Sequence, residues 1–153
     1  MANTYTQLGI HIITAVKHRE AIIHRDWLSE IYAVSATIVQ ERKHTVLAIG
    51  GEPDHLHFFI DLHRSDSIAD LVGAWKAQVS GFISKRYDVP FEFQRGYGAF
   101  AVSKKDWPTV KRYINNQYEH HNGLPFKDEY IKLLDENEIP YDDEYLFMWI
   151  DED

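Results

Sequence analysis

The sequence predicts an α+β fold, in which helices pack on an antiparallel sheet. Strand-like and helical hydrophobic patterns follow one another in the order strand, helix, two strands, helix, strand, helix. The chain has 153 residues, of which 44% are hydrophobic, and no repeat or Gly/Ser-rich linker divides it. This length and composition predict one domain with a buried core. The first six elements match the split β-α-β order of ferredoxin-like, or RRM-like, folds.

Local patterns indicate the first strand, the first helix and the second strand. Residues 7–16 are rich in isoleucine, partly at alternating positions, and predict a strand. Asp26 is the predicted cap of a helix that runs to about Lys43, because apolar residues recur behind it at helical spacing. Thr45–Ile49 predicts a short apolar strand, and the glycine-rich composition of residues 50–54 predicts a turn after it.

The middle of the chain adds a third strand, a long helix and a fourth strand. Apolar residues alternate with others over residues 56–62, which predicts a strand with one face in the core. Ser67 and Asp70 form a capping box for a helix that ends near Tyr87. Gln94–Val102 contains two glycines and an alternating pattern, and it predicts the fourth strand.

The end of the chain predicts two more helices and carries most of the negative charge. Ser103 is a predicted cap for a helix to about His121, and Lys127–Glu138 predicts a short helix. Residues 127–153 hold 11 acidic and 2 basic residues, whereas residues 1–126 hold 13 acidic and 14 basic ones. We therefore predict a nearly neutral domain over 1–126 and an acidic, helical C-terminal extension over 127–153 that packs on or near it. The net charge of −8 for the whole chain is therefore compatible with a basic face on the domain.

Composition excludes several classes of site. The chain has no cysteine, so disulfides, thiolate zinc sites and iron–sulfur clusters are impossible. No run of about 18 apolar residues and no secretory leader is visible. We expect a cytoplasmic protein with no membrane partner.

The most specific chemical pattern is a pair of histidines within the third strand. Because side chains alternate along a strand, His55 and His57 leave the same face, roughly 7 Å apart, and can converge on one cation. The alternative is that both are polar residues on a solvated face. A histidine-triad hydrolase would need a third histidine where Phe59 stands, and a two-histidine phosphoesterase would need Ser or Thr in place of His57. Both enzymes are disfavoured.

A second pattern lies on the late helix. Tyr113 and Gln117 are four residues apart and share one helical face. A tyrosine hydroxyl can attack phosphorus, and an amide oxygen can bind a hard cation. The alternative is a core aromatic residue and a surface amide. The densest basic stretch surrounds the tyrosine and consists of Lys104, Lys105, Lys111 and Arg112. Five other histidines are predicted to be surface, capping or partly buried residues: His11, His18, His24, His120 and His121.

Taken together, these residues resemble the HUH single-tyrosine transposases of bacterial insertion sequences, including their REP-associated relatives. The matching stretches are Gly50–Ile60, Arg95–Ser103 and Tyr113–His121, which occur in the family's order and spacing. The resemblance implies that residues 1–126 are a catalytic domain that cleaves and rejoins single-stranded DNA near hairpins through a 5′-phosphotyrosine. It also implies a homodimer in which Tyr113 of one chain can serve the histidines of the other.

The resemblance also implies a role for each site residue. His55, His57 and Gln117 would bind a divalent metal, Mg²⁺ or Mn²⁺, and Tyr113 would be the nucleophile. The candidates for holding DNA phosphates are basic: Lys17, Arg19, Lys104, Lys105, Lys111 and Arg112. The competing hypothesis is a non-catalytic, ferredoxin-like nucleic-acid-binding regulator derived from such an enzyme, which has no need for the metal–tyrosine set.

Overall fold

The computed structural model describes residues 3–17, 22–117 and 124–148. Within these ranges, four strands and four α-helices follow the predicted order, with short 3₁₀ turns at 25–27, 104–106 and 143–145. The elements are β1 (Gly9–Ala15), α1 (Leu28–Glu41), β2 (Thr45–Glu52), β3 (His55–Asp61), α2 (Ile68–Tyr87), β4 (Gly98–Val102), α3 (Trp107–Asn115) and α4 (Phe126–Glu136). None of the helices in these ranges is both long enough and apolar enough to cross a bilayer.

The strands form one antiparallel sheet in the order β2-β3-β1-β4. This order is the split β-α-β arrangement, so the predicted α+β, ferredoxin-like architecture is confirmed. Strand β3, which carries His55 and His57, is an inner strand of the sheet and pairs with β1 on one side and β2 on the other.

Helices α1 and α2 cover one face of the sheet and form the larger core. Leu56, Phe58 and Ile60 point into this core and are at most 1% exposed, as the alternation predicts. Trp75 of α2 packs against Phe58, with 4.9 Å between ring centroids. Ser67 accepts a hydrogen bond from the Asp70 amide at 3.1 Å, so the predicted cap of α2 is confirmed.

Helices α3 and α4 cover the opposite face, where the remaining β3 side chains lie. Their approach requires glycine on the sheet, because a Cβ at Gly50 would lie 2.1 Å from the Ile114 carbonyl oxygen of α3. A Cβ at Gly98 would likewise lie 2.8 Å from the ring of Tyr130 on α4. This face is therefore buried, and the alternative of two histidines on a solvated sheet face is wrong.

Several predicted boundaries are corrected by the structure. Asp26 does not cap α1: it lies in a 3₁₀ turn, and α1 begins at Leu28 without a side-chain cap. Residues 50–52 continue β2 rather than forming a turn, because they pair with β3 as far as His55. Ser103 makes no capping bond to the backbone, and its hydroxyl donates to the Asp106 carboxylate at 3.1 Å.

The fourth strand is shorter than predicted. It begins at Gly98, because residues 95–97 do not pair with β1, although the Gln94 backbone N–H still donates to the Ala15 carbonyl oxygen of β1 at 2.8 Å. Lys76 of α2 donates to the carbonyl oxygens of Gln94 and Gly96, at 2.7 and 2.6 Å. The late helix, predicted to run to about His121, ends at Asn115, and residues 116 and 117 form a turn, so Gln117 lies just beyond the helix. His18, His120 and His121 lie outside the described residues.

Candidate active site

Strand β3 presents two buried imidazoles to the layer formed by α3 and α4. His57 is 0% exposed and His55 is 2% exposed. His57 lies opposite Gly50 on one neighbouring strand and opposite Ile13 on the other. The ring of Phe126 from α4 stacks on His55, with 3.9 Å between centroids and 4° between planes. The same-face geometry predicted for the histidine pair is confirmed.

The Nε2 atoms of both histidines face one carboxylate. Glu129 of α4 places one oxygen 3.4 Å from His55 Nε2 and the other 3.1 Å from His57 Nε2. Neither nitrogen has a hydrogen-bond partner of good geometry among the described residues, although both are fully buried. His55, His57 and Glu129 are accordingly a group whose ligand atoms all lie within 4.8 Å of one another.

The tyrosine and the glutamine converge on the same carboxylate. The Tyr113 hydroxyl donates a hydrogen bond to Glu129 Oε1, and the Gln117 amide donates to the same oxygen at 3.1 Å. The Tyr113 ring meets the His57 ring edge-on, with 5.7 Å between centroids. The structure thus brings together all four residues that the sequence predicts for the catalytic and metal roles.

The other ring nitrogen of each histidine, Nδ1, contacts a further residue. The Nδ1 atom of His55 lies 2.7 Å from an Asp54 carboxylate oxygen. The Nδ1 atom of His57 lies 2.8 Å from Nε2 of His11, which projects from β1 and is 3% exposed. Each imidazole therefore has one nitrogen aimed at the Glu129 carboxylate and the other fixed by a neighbour.

Burial and charge set the protonation of this cluster. Burial lowers the pKa of His55, but Asp54 and Glu129 outweigh it and raise that pKa to about 9. Burial and the charge of His55 hold the pKa of His57 below its usual range. Burial acts to raise the pKa of Glu129, but the two histidines keep it well below the usual carboxyl range. Burial and the Glu129 carboxylate raise the pKa of Tyr113 far above that of a free tyrosine.

Sequence patterns missed three residues of this cluster. Glu129 carries no local signal, because an acidic residue in the first turn of a helix in an acidic segment is ordinary. The composition of residues 50–54 predicts a turn and gives Asp54 no role in a site. The sequence predicts His11 to be a surface, capping or partly buried histidine, although its position two residues from Ile13 places both on one face of β1.

Comparison with known proteins identifies the family and supports the fold. The family model described as "Transposase IS200 like" matches residues 4–117, which include His55, His57, Tyr113 and Gln117. The chain belongs to the IS200-like transposase family. The match ends at Gln117, so α4 and Glu129 lie outside the part of this transposase that the family model covers.

Two solved structures share the fold of this IS200-like transposase. One is a protein of Deinococcus radiodurans R1 described as a candidate transposase: it is 18% identical, with a TM-score of 0.62, over 76% of this chain and 95% of that one. The other is a REP-associated tyrosine transposase bound to a REP hairpin: it is 14% identical, with a TM-score of 0.58, over 79% of this chain and 73% of that one. At these identities the likeness shows the fold. No curated protein matches the chain at a significant level.

Most of the predicted phosphate-binding residues of the transposase lie on α3, the helix that carries Tyr113, or in the turn before it. Lys104 and Lys105 precede α3, and Lys104 lies over the Trp107 ring, 4.0 Å from its centroid. Arg112 is exposed on α3, and Lys111 is half-buried beside it. Lys17 is at the end of the first described range, where it pairs with Glu92 at 3.1 Å. Arg19 lies outside the described residues.

Proposed function

We propose that this chain is a metal-dependent DNA transposase that cleaves and rejoins single-stranded DNA near hairpins through a 5′-phosphotyrosine on Tyr113. The observation that carries the proposal is the convergence of Tyr113, His55, His57 and Gln117 on one point, occupied by the Glu129 carboxylate. A protein that only binds nucleic acid has no need to place a tyrosine hydroxyl beside two buried, cation-directed imidazoles.

The donor set fits a divalent cation. Two fully buried Nε2 atoms without hydrogen bonds face the same carboxylate, so the three side chains direct their ligand atoms to one point. We assign His55, His57 and Glu129 to the ion and keep Gln117 in the set, because its amide touches Glu129 at 3.1 Å. Imidazole, carboxylate and amide donors together suit Mn²⁺ or Mg²⁺. When bound, the ion would polarise a phosphate oxygen.

The chain's own groups account for the covalent step. The Tyr113 oxygen attacks the phosphorus, a new O–P bond forms, and the bond from phosphorus to the 3′ oxygen breaks. Glu129 accepts the hydrogen bond of the hydroxyl and orients it, the hydroxyl proton leaves to solvent as the O–P bond forms, and solvent protonates the departing 3′ oxygen. The 5′-phosphate stays esterified to Tyr113, so the reverse attack by a 3′-hydroxyl rejoins DNA without a further energy source.

The nucleic-acid partner follows from the location of the basic residues. Lys104, Lys105, Lys111 and Arg112 lie on the turn before α3 and on α3 itself, the helix that carries Tyr113. A DNA strand held by these cations would pass close to the hydroxyl. The structural neighbour bound to a REP hairpin is the reason for proposing hairpin-bearing DNA as the substrate. The cytoplasmic location and the division of the chain at residue 126 stay predictions.

The test is formation of a covalent protein–DNA adduct. With hairpin-bearing single strands and Mn²⁺, the wild type should give a denaturation-resistant band, and Tyr113→Phe should give none while retaining Mn²⁺ binding. Tyr97→Phe is the matched control, because Tyr97 is 37% exposed and Tyr113 is 38% exposed. An adduct formed by Tyr113→Phe at the wild-type rate would identify another nucleophile. No adduct from the wild type with any hairpin would favour the non-catalytic regulator.

A further inference from the structure

One buried histidine near the site has no role in the chemistry described above. His11 projects from β1 on the same sheet face as His57, one strand away, and is 3% exposed. Its Nε2 atom lies 2.8 Å from His57 Nδ1, and the ring centroids are 5.0 Å apart. His11 does not belong to the group of ligand atoms around Glu129. It contacts His57 and also meets the Tyr113 ring edge-on, with 6.3 Å between centroids.

The contact matters because an imidazole can offer a metal only the nitrogen that carries no proton. In neutral His57 one nitrogen carries the proton and the other carries the lone pair. The Nε2 atom faces Glu129 at 3.1 Å, so metal binding there requires the proton to lie on Nδ1. A proton on Nδ1 needs an acceptor in this buried position, and the Nε2 atom of His11 is 2.8 Å away.

His55 has the equivalent arrangement with a different acceptor. Its Nδ1 atom lies 2.7 Å from the Asp54 carboxylate, while its Nε2 atom faces Glu129. The Nδ1 atom of each histidine therefore has a hydrogen-bond acceptor, which is the Asp54 carboxylate for His55 and the His11 imidazole for His57. An imidazole acceptor fixes the tautomer of His57 without adding a second buried negative charge.

We propose that His11 is a positioning residue that fixes His57 as the Nδ1–H tautomer, so that Nε2 is available to the divalent cation. The inference rests on the proposed metal site. In this arrangement His57 Nδ1–H donates to His11 Nε2, and the proton of His11 lies on its own Nδ1. His11 makes no contact with DNA or with the cation in this role.

The experiment measures Mn²⁺ affinity by calorimetry in three variants of the full chain. His11→Leu removes the acceptor and should weaken Mn²⁺ binding about 10–100-fold, the range for loss of an outer partner of a metal-binding histidine. His11→Gln retains an acceptor oxygen and should recover most of that loss. Ile13→Val changes packing on the same face of β1 and should leave the affinity unchanged.

A measurement on the wild type covers the case in which His11→Leu does not fold. Nitrogen-15 spectra of labelled histidines with saturating Mg²⁺ should show the His57 proton on Nδ1, and a proton on Nε2 would overturn the inference. Equal Mn²⁺ affinity in the wild type and a folded His11→Leu variant would also overturn it. Failure of the wild type to bind either ion would overturn the proposed metal site, and with it the role of His11.

Discussion

At the scale of single residues, Glu129 has the most contacts in the site and is the residue that sequence patterns least predict. Its carboxylate meets both histidine Nε2 atoms, the Tyr113 hydroxyl and the Gln117 amide. The histidine pair could be predicted because a strand's alternation is local and visible. Glu129 could not be predicted, because its position beside the two histidines depends on how α4 packs on the sheet. No residue spacing in the sequence indicates that packing.

Glu129→Gln should separate the roles of the carboxylate and the amide. The substitution keeps the side chain's size but removes its charge, so we expect Mn²⁺ affinity to fall at least roughly tenfold, as measured by calorimetry. Glu136→Gln, on the exposed end of the same helix, should leave the affinity unchanged. If Glu129→Gln binds Mn²⁺ as the wild type does and Gln117→Ala does not, the glutamine is the third donor and Glu129 is not a ligand.

At the scale of elements, the position of Tyr113 depends on how closely α3 approaches β2. Gly50 faces the last turn of α3, next to Tyr113, and pairs with His57 across the sheet. The sequence correctly predicted β3 and the capped α2, whose signals are local. It assigned Gly50 to a turn, because glycine in a sequence favours a turn, whereas in this strand glycine allows a helix backbone to approach.

Gly50→Ala should displace α3 and impair the site. The added Cβ would lie 2.1 Å from a backbone carbonyl oxygen, so the helix must shift, and we expect a loss of about 1–3 kcal/mol in the free energy of unfolding. Adduct formation at a temperature where the variant is folded should fall more than tenfold. Gly73→Ala is the control: nothing lies within 4 Å of its Cβ, so stability should stay the same or rise by about 0.5–1 kcal/mol. Normal activity in Gly50→Ala would show that Tyr113 does not need this contact.

At the scale of the whole molecule, the described part of the acidic segment, residues 127–148, packs on the sheet and contributes Glu129 to the candidate site. Phe126 and Tyr130 of α4, together with Phe147, pack against Ile13 and Phe100 of the sheet. The Gln94 side chain holds the segment that follows α4 through two hydrogen bonds to the backbone of Met148. Its amide oxygen accepts from the Met148 N–H at 2.6 Å, and its amide nitrogen donates to the Met148 carbonyl oxygen at 2.6 Å. One chain therefore brings Tyr113, the histidine pair and Glu129 together.

This single-chain assembly bears on the predicted homodimer, in which Tyr113 would serve the histidines of a partner. In the structure the Tyr113 ring lies 5.7 Å from the His57 ring of the same chain. Mixing Tyr113→Phe with His57→Ala distinguishes the two arrangements, because the first variant keeps the metal ligands and the second keeps the nucleophile. Light scattering on the mixture gives the oligomeric state in the same sample.

If each chain uses its own tyrosine, neither variant can complete a site, and the mixture should form no more adduct than the two variants do separately. If tyrosines are exchanged, random mixing makes roughly half of the dimers mixed, each with one intact site of two, so about a quarter of wild-type activity should return. The geometry around Glu129 leads us to expect no recovery, with the adduct band absent at every mixing ratio. Recovery near a quarter would show that the working enzyme exchanges α3 between chains, and that the contacts of Tyr113 described here belong to a resting arrangement.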